Sequence, residues 1–208
     1  MKRSANGLFM NAPTNLLVAT RNTHKTGEIQ AMLGDDFRVL DLTSGDFPEV
    51  AETGTTFLEN ATLKAVEISK LIDGIVLSDD SGLEVDALGG EPGVYSARYA
   101  GTDGDNEANN AKLMTEMSKL PSDVEKTARF KCVMVIAENG QRLAHFDGAV
   151  EGSIVPELTG DKGFGYDPLF IPTGYDKTFA QLGDEIKNTL SHRAVALNQV
   201  VSWLASRG

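Results

Sequence analysis

Apolar positions along the chain fall into short runs and spaced stripes that predict alternating strands and helices. The run Leu16–Thr20 predicts a buried strand, and Ile29, Met32 and Leu33 share one face of a helix over Thr26–Leu33. Val39–Leu42 predicts a second strand, followed by an acidic loop that carries Asp46, Glu49 and Glu52 and ends at Gly54. Thr56 and Glu59 match a capping box, and Leu58, Ala61, Ala65, Ile68 and Ile72 then keep the spacing of one helical face. Ile75–Leu77 predicts a strand that runs into Ser78–Gly82 (SDDSG), and beyond the glycine-rich Leu88–Gly101 segment Asp105 can cap a helix reaching about Lys119. Phe130, Cys132, Met134 and Ile136 alternate as in a strand, and Asn139-Gly140 predicts a tight hairpin into Leu143–Val150. Ser191 is placed to cap a last helix whose buried stripe is Leu197, Val200, Val201 and Leu204. Strand–helix units accompanied by a hairpin predict an α/β fold with a mixed sheet, without internal repeats or linkers.

The 208 residues, 41% of them hydrophobic, suit one domain over 15–208, and no run approaches the roughly 18 apolar residues of a membrane span. Residues 1–14 are expected to form a tail: Lys2 and Arg3 open it, but Asn6, Gly7, Asn11 and Pro13 interrupt the apolar stretch that a signal peptide needs. Cys132 is the only cysteine, which excludes an intramolecular disulfide and a four-cysteine metal site and suits a reducing cytoplasm. The net charge of −11 argues against a nucleic acid polymer as partner, because such binding rests on neutralising many phosphates. A single nucleotide needs only a few local cations.

The cations are clustered where they matter. Thr20–Lys25 (TRNTHK) lies between a buried strand and a helix start, where free backbone N–H groups and the helix dipole favour anions. Thr20, Asn22 and Thr23 add hydroxyl and amide groups there, and Arg21, His24 and Lys25 add cationic ones; the loop lacks the Walker glycines and is not a P-loop. In SDDSG, adjacent carboxylates at the end of an apolar strand are costly to desolvate without a cation. Successive strand residues point to opposite faces, so Asp79 and Asp80 are not expected to act as a dyad: one faces a cleft and holds Mg2+, the other holds structure. Gly163–Pro168 (GFGYDP) sets Phe164 or Tyr166 in a glycine-flexed loop, from which either ring could stack on a base. Lys187, His192 and Arg193 gather donors around the start of the last helix.

Taken in order, VATRNTHK, ETGTTFLENATLKA, SDDSGLEVDALGGEPGVYSARYAG, GFGYDPLF and SHRAVAL resemble the inosine triphosphate pyrophosphatase family, from Leu16 to the C-terminal helix. The resemblance implies an elongated mixed sheet forming two lobes around a nucleotide cleft, a homodimer, and Mg2+-dependent cleavage of non-standard purine triphosphates (ITP, dITP, XTP) to the monophosphate and pyrophosphate. It further implies that Thr20–Lys25 binds phosphates, that Asp80 is the catalytic carboxylate and a metal ligand, and that Ser81 contacts substrate. Phe164, Gly165, Tyr166, Asp167, Lys187, His192 and Arg193 would surround the base and sugar, with Lys25 and Lys64 stabilising the departing pyrophosphate. Family members often carry acids at both positions before Thr-Gly, where this chain has Ala51 and Glu52; Glu52 is then the expected second metal ligand, with Glu49 behind it. A nucleotide sensor without turnover and a pyrophosphatase for other nucleotides are the competing expectations.

Overall fold

A computed structural model describes residues 13–207; the expected tail lies outside the described residues as far as residue 12, and Thr14 already belongs to the first strand. The strands are β1 (Thr14–Val18), β2 (Phe37–Asp41), β3 (Ile75–Val85), β4 (Thr127–Glu138), β5 (Gln141–Ile154) and β6 (Phe170–Pro172). The helices are α1 (Thr23–Leu33), α2 (Phe57–Ser69), α3 (Asn106–Ser118), α4 (Phe179–Leu182), α5 (Asp184–Leu190) and α6 (His192–Ala205). One mixed sheet runs β2-β1-β3-β4-β5-β6, with β1 parallel to both neighbours and the remaining pairs antiparallel.

Alternation along the long central strands sorts side chains between layers. Leu77, Cys132, Met134 and Ile136 pack with Ile29 and Leu33 of α1 and with Ala196, Leu197 and Val200 of α6. Val133, Val135 and Ala137 pack with Phe57, Ala61 and Ala65 of α2, and Val76 packs with Ile68. Farther along the same strands, Leu83, Val85, Ala128 and Phe130 join Leu113, Phe170 and Phe179 in a separate core. The boundary between these cores on β3 falls between Leu77 and Leu83, at the SDDSG segment.

Several local expectations hold. Thr56 and Glu59 form the reciprocal capping box, Asp105 caps α3 through Ala108 N–H, and Ser191 caps α6 through Ala194 N–H. Asn139 and Gly140 both have positive φ, 50° and 76°, as a two-residue hairpin with the sheet's twist requires. Others shift. The strand expected at Leu16–Thr20 runs over Thr14–Val18, because its pairing with β2 spans Thr14 to Val18. Helix α1 starts at Thr23, not Thr26, because the Asn22 side chain accepts the N–H groups of His24 and Lys25. Strand β3 does not stop at Leu77: its ladder with β4 continues from Ile75 to Val85, straight through both acids. On α6, Val201 is 38% exposed and leaves the buried stripe, which Ala194 and Ala196 widen instead. Ile72 lies past the end of α2, although it still packs on Val76's cluster.

Helix α6 lies so close to β5 that a side chain at Gly148 would have no room. A Cβ there would stand 2.0 Å from the His192 carbonyl oxygen and 2.7 Å from the Ala196 nitrogen. Gly148→Ala is therefore expected to push α6 off the sheet and to cost about 1–3 kcal/mol, read as a lowered midpoint in urea unfolding.

Candidate active site

Strand β1 ends at Val18 and pairs with β3 at Leu17–Val76 and Val18–Leu77, and Ala19 N–H makes a last bond to the Leu77 carbonyl. Past that point, among the described residues, the edge of β3 has no strand beside it until the Glu91–Ser96 segment returns, where Leu83 N–H donates to Ser96 Oγ and Val85 N–H to the Glu91 carbonyl. The residues exposed by this interruption are those of SDDSG. Ligands in open α/β sheets collect outside the carboxyl ends of parallel strands, and this gap is such a place.

Asp79 and Asp80 leave the strand toward opposite layers, as strand alternation requires. Asp79 points to the side of α1 and α6 and is fully buried. Its Oδ2 lies 3.0 Å from Arg193 Nη2 and 3.1 Å from Lys25 Nζ, and these charges hold its carboxyl far below the usual range although burial alone would raise it. Arg193, itself buried, also donates to Ser81 Oγ at 2.9 Å and pairs with Glu28. Glu28 carries the cluster onward to Lys187 Nζ at 2.7 Å, and Lys187 meets Asp167 at 2.6 Å. Burial raises the Glu28 pKa, but the charges of Arg193 and Lys187 outweigh it and keep the carboxylate ionised.

Asp80 points to the side of α2. Lys64 Nζ lies 3.6 Å from its Oδ1, 2.6 Å from Glu52 Oε1 and 2.8 Å from the Asp79 carbonyl oxygen. Arg98 stands beyond Glu52 at 3.5 Å. Burial pushes the Asp80 carboxyl up, and the charges of Glu52 and Asp79 add to this, against Lys64 and Lys25. Its Oδ2 is buried without a hydrogen-bond partner among the described residues. Glu52 is held low by Lys64 despite its burial, while Ala51 and Glu49 are exposed.

The aromatic loop divides its rings between different surroundings. Tyr166 is 4% exposed, belongs to the far core and donates its hydroxyl to the Ser96 carbonyl, so it is not free to stack on a base. Phe164 is half-buried and stays at the cleft, where Lys187 Nζ lies 4.3 Å from its ring centre. Asp167 accepts the Phe164 N–H at 2.8 Å, and the Gly165 carbonyl accepts from Asn110 Nδ2 at 2.9 Å, so both ends of the loop are tied. His192 is buried, stacks on Phe130 at 5.0 Å and is held neutral by burial and by the neighbouring Arg193 and Lys187 charges; its Nδ1 has no partner among the described residues.

The expected site residues are brought together with some divergence. Asn22 and Thr20 shape the turn into α1, since Asn22 N–H donates to Thr20 Oγ1 at 3.1 Å. Lys25 reaches the acids, whereas the Arg21 guanidinium turns away to the Leu42 and Phe47 carbonyls and ties down that loop. Thr23 and His24 line a neighbouring cleft of about 360 Å3 together with Glu28 and Phe164. Sequence reasoning missed Glu28, Arg98 and Asn110. Glu28 was visible in principle, one helical turn after Lys25 on α1, whereas Arg98 and Asn110 carry no local signal and are recruited only by the tertiary fold.

A mixed α/β sheet that opens onto a cleft of carboxylates, cations and one aromatic ring defines the class of nucleotide-handling α/β enzymes. Residues 16–203 match the Ham1 family, and the chain belongs to it. It is 45% identical over 193 residues to a dITP/XTP pyrophosphatase of Oceanobacillus iheyensis, covering 91% of this chain and 97% of that protein. The Ham1 protein of Staphylococcus aureus superposes with a TM-score of 0.81 at 40% identity, covering 94% of this chain and all of that one. A nucleoside-triphosphatase / dITP/XTP pyrophosphatase of Mycobacterium abscessus superposes with a TM-score of 0.71 at 39% identity over 90% of this chain and 98% of that one.

Removing the Asp79 charge leaves Arg193 and Lys25 facing a buried site without their shared partner. Asp79→Ala is expected to destabilise the fold by about 3–5 kcal/mol, measured by chemical denaturation in the absence of metal and nucleotide.

Proposed function

We propose that the protein hydrolyses non-standard purine nucleoside triphosphates (ITP, dITP and XTP) to the nucleoside monophosphate and pyrophosphate, clearing them from the nucleotide pool. The observation that carries this reading is the buried, unpartnered Oδ2 of Asp80 beside the Lys64–Glu52 pair, at the open edge of β3. It is a hydrogen-bond acceptor already withdrawn from water, with the Lys64 ammonium 3.6 Å from the other oxygen of the same carboxylate.

The donor set fits Mg2+. The described residues contain no group of three or more His, Cys, Asp or Glu side chains placed to hold a metal ion. Mg2+ commonly takes only one or two carboxylates and completes its shell with water and substrate phosphates, which Asp80 and Glu52 can accommodate. When bound there, the ion would offset charge on the phosphate oxygens.

In the proposed reaction Asp80 orients a water for in-line attack on the α-phosphorus and accepts its proton. Burial and the nearby Glu52 and Asp79 carboxylates favour its taking up that proton. The bond from the α-phosphorus to the bridging oxygen breaks, and pyrophosphate leaves toward Lys64 and Lys25. The free N–H groups of the first turn of α1 add to their attraction for phosphate.

Donors determine the base. Lys187 has three N–H bonds and engages Asp167 and Glu28, which leaves one free. Arg193 also faces the cleft, and neutral His192 offers one N–H. A 6-oxo purine accepts from such groups, whereas the 6-amino group of adenine would set donor against donor, a mismatch able to discriminate by roughly 10^4. Homodimer formation and a cytoplasmic setting belong to the same proposal: the family resemblance supports the first, and the buried free thiol of Cys132 suits the second.

Pyrophosphate release from ITP, dITP, XTP, GTP, ATP and dTTP, with Mg2+ and with chelator, tests the reading. Release is expected from ITP, dITP and XTP and only with metal; binding of ITP without release would identify a sensor, and preference for dTTP a pyrimidine enzyme. Asp80→Asn is expected to lower kcat by about 10^2–10^4 while changing KM little; near-wild-type turnover would remove Asp80 from the chemistry.

A further inference from the structure

His24 and Lys25 are neighbours in the first turn of α1, yet their side chains serve different parts of the cleft. Lys25 reaches Asp79, whereas the His24 imidazole lies against Phe164 with ring centres 5.3 Å apart and planes within 17°. We propose that His24 and Phe164 are the two jaws of a clamp for the purine base, which inserts between them, so that His24 binds the base and not the phosphates. This rests on the nucleotide substrate proposed above.

Both jaws are held at the backbone and open at the side chain. The backbone at His24 is pinned because its N–H donates to the Asn22 side chain at 3.0 Å, while its ring is exposed. Phe164 stands between Gly163 and Gly165, which adopt φ of 75° and 62°, values that L side chains rarely reach. The Phe164 N–H is held by Asp167 at 2.8 Å and the Tyr166 hydroxyl by the Ser96 carbonyl, so the clamp opens by rotation of the exposed His24 ring and the half-buried Phe164 ring about their side-chain bonds. A flat ring held on both faces needs about 7–8 Å between its neighbours, given contact distances of about 3.5–4 Å on each side. From ring centres 5.3 Å apart, the jaws must part by at least about 2–3 Å. Glu28 and Phe164 line the same cleft as His24, and Lys187 and Arg193 stand at the Phe164 ring, so a base in the clamp would have its polar edge beside hydrogen-bonding groups. Stacking of this kind tolerates any purine, so the clamp supplies affinity and leaves base choice to the edge.

The test compares wild type with His24→Ala, His24→Phe and His24→Lys. It measures ITP turnover, IMP binding by calorimetry and inhibition by tripolyphosphate, which probes the phosphate side alone. His24→Ala is expected to raise KM for ITP and Kd for IMP about 10-fold, with kcat and the tripolyphosphate inhibition constant unchanged, and His24→Phe to restore both. If His24→Ala weakens tripolyphosphate as much as IMP, and Lys but not Phe restores it, His24 is a phosphate ligand and the clamp is wrong. Unchanged KM and IMP affinity in His24→Ala would reduce the stack to packing. Should the wild type release no pyrophosphate from ITP, the function proposed above fails, while the IMP and tripolyphosphate titrations still decide the clamp.

Discussion

Asp79 has no exposed surface, and the cations around it come from segments more than a hundred residues apart in sequence. Lys25 arrives from the first turn of α1 and Arg193 from the first turn of α6, and both converge on one carboxylate oxygen in the middle of β3. A buried charge of this kind is tolerable only when its partners are in place, so the ion cluster ties α1 and α6 to the sheet at one point. Through Arg193 and Glu28 the same cluster reaches Lys187 and Asp167, and Asp167 holds the Phe164 backbone. The position of the aromatic ring at the cleft thus depends on the charge buried beneath it.

Asp80 is one residue away, likewise buried, and differs in the charges that surround it. The strand's alternation sends it to the α2 layer, where its attracting partner is the more distant Lys64 and where Glu52 and Asp79 repel it. Asp79 has one oxygen held by two close cations and anchors the fold, while Asp80 has a single, more distant one; each keeps one buried oxygen without a hydrogen-bond partner among the described residues. Adjacent identical residues acquire opposite characters because the backbone between them is extended.

Much of this was legible in the chain. Alternation in β4, the capping box at Thr56, the Asn139-Gly140 turn and the assignment of Asp79 and Asp80 to opposite faces follow from local rules. The extent of β3 did not, because a strand reading stops at charged residues unless their partners are known, and Lys25, Lys64 and Arg193 are remote in sequence. The same limit applies to the rings of the glycine loop. Composition puts Phe164 and Tyr166 on an equal footing, and only the Ser96 carbonyl that accepts the Tyr166 hydroxyl assigns that ring to the core. Glu28, Arg98 and Asn110 are likewise defined by what the fold brings to them.

The early end of β1 has a further consequence for the protein outside its chemistry. An uncovered strand edge is a template on which another extended chain can add, the first step toward edge-to-edge aggregation. Here the bare stretch of β3 is short, its centre carries adjacent carboxylates, and Lys64 already occupies the Asp79 carbonyl that an incoming strand would need. The features that suit the gap to a small polyanion also make it a poor landing site for a polypeptide, so the sheet can remain open at its working edge without becoming adhesive.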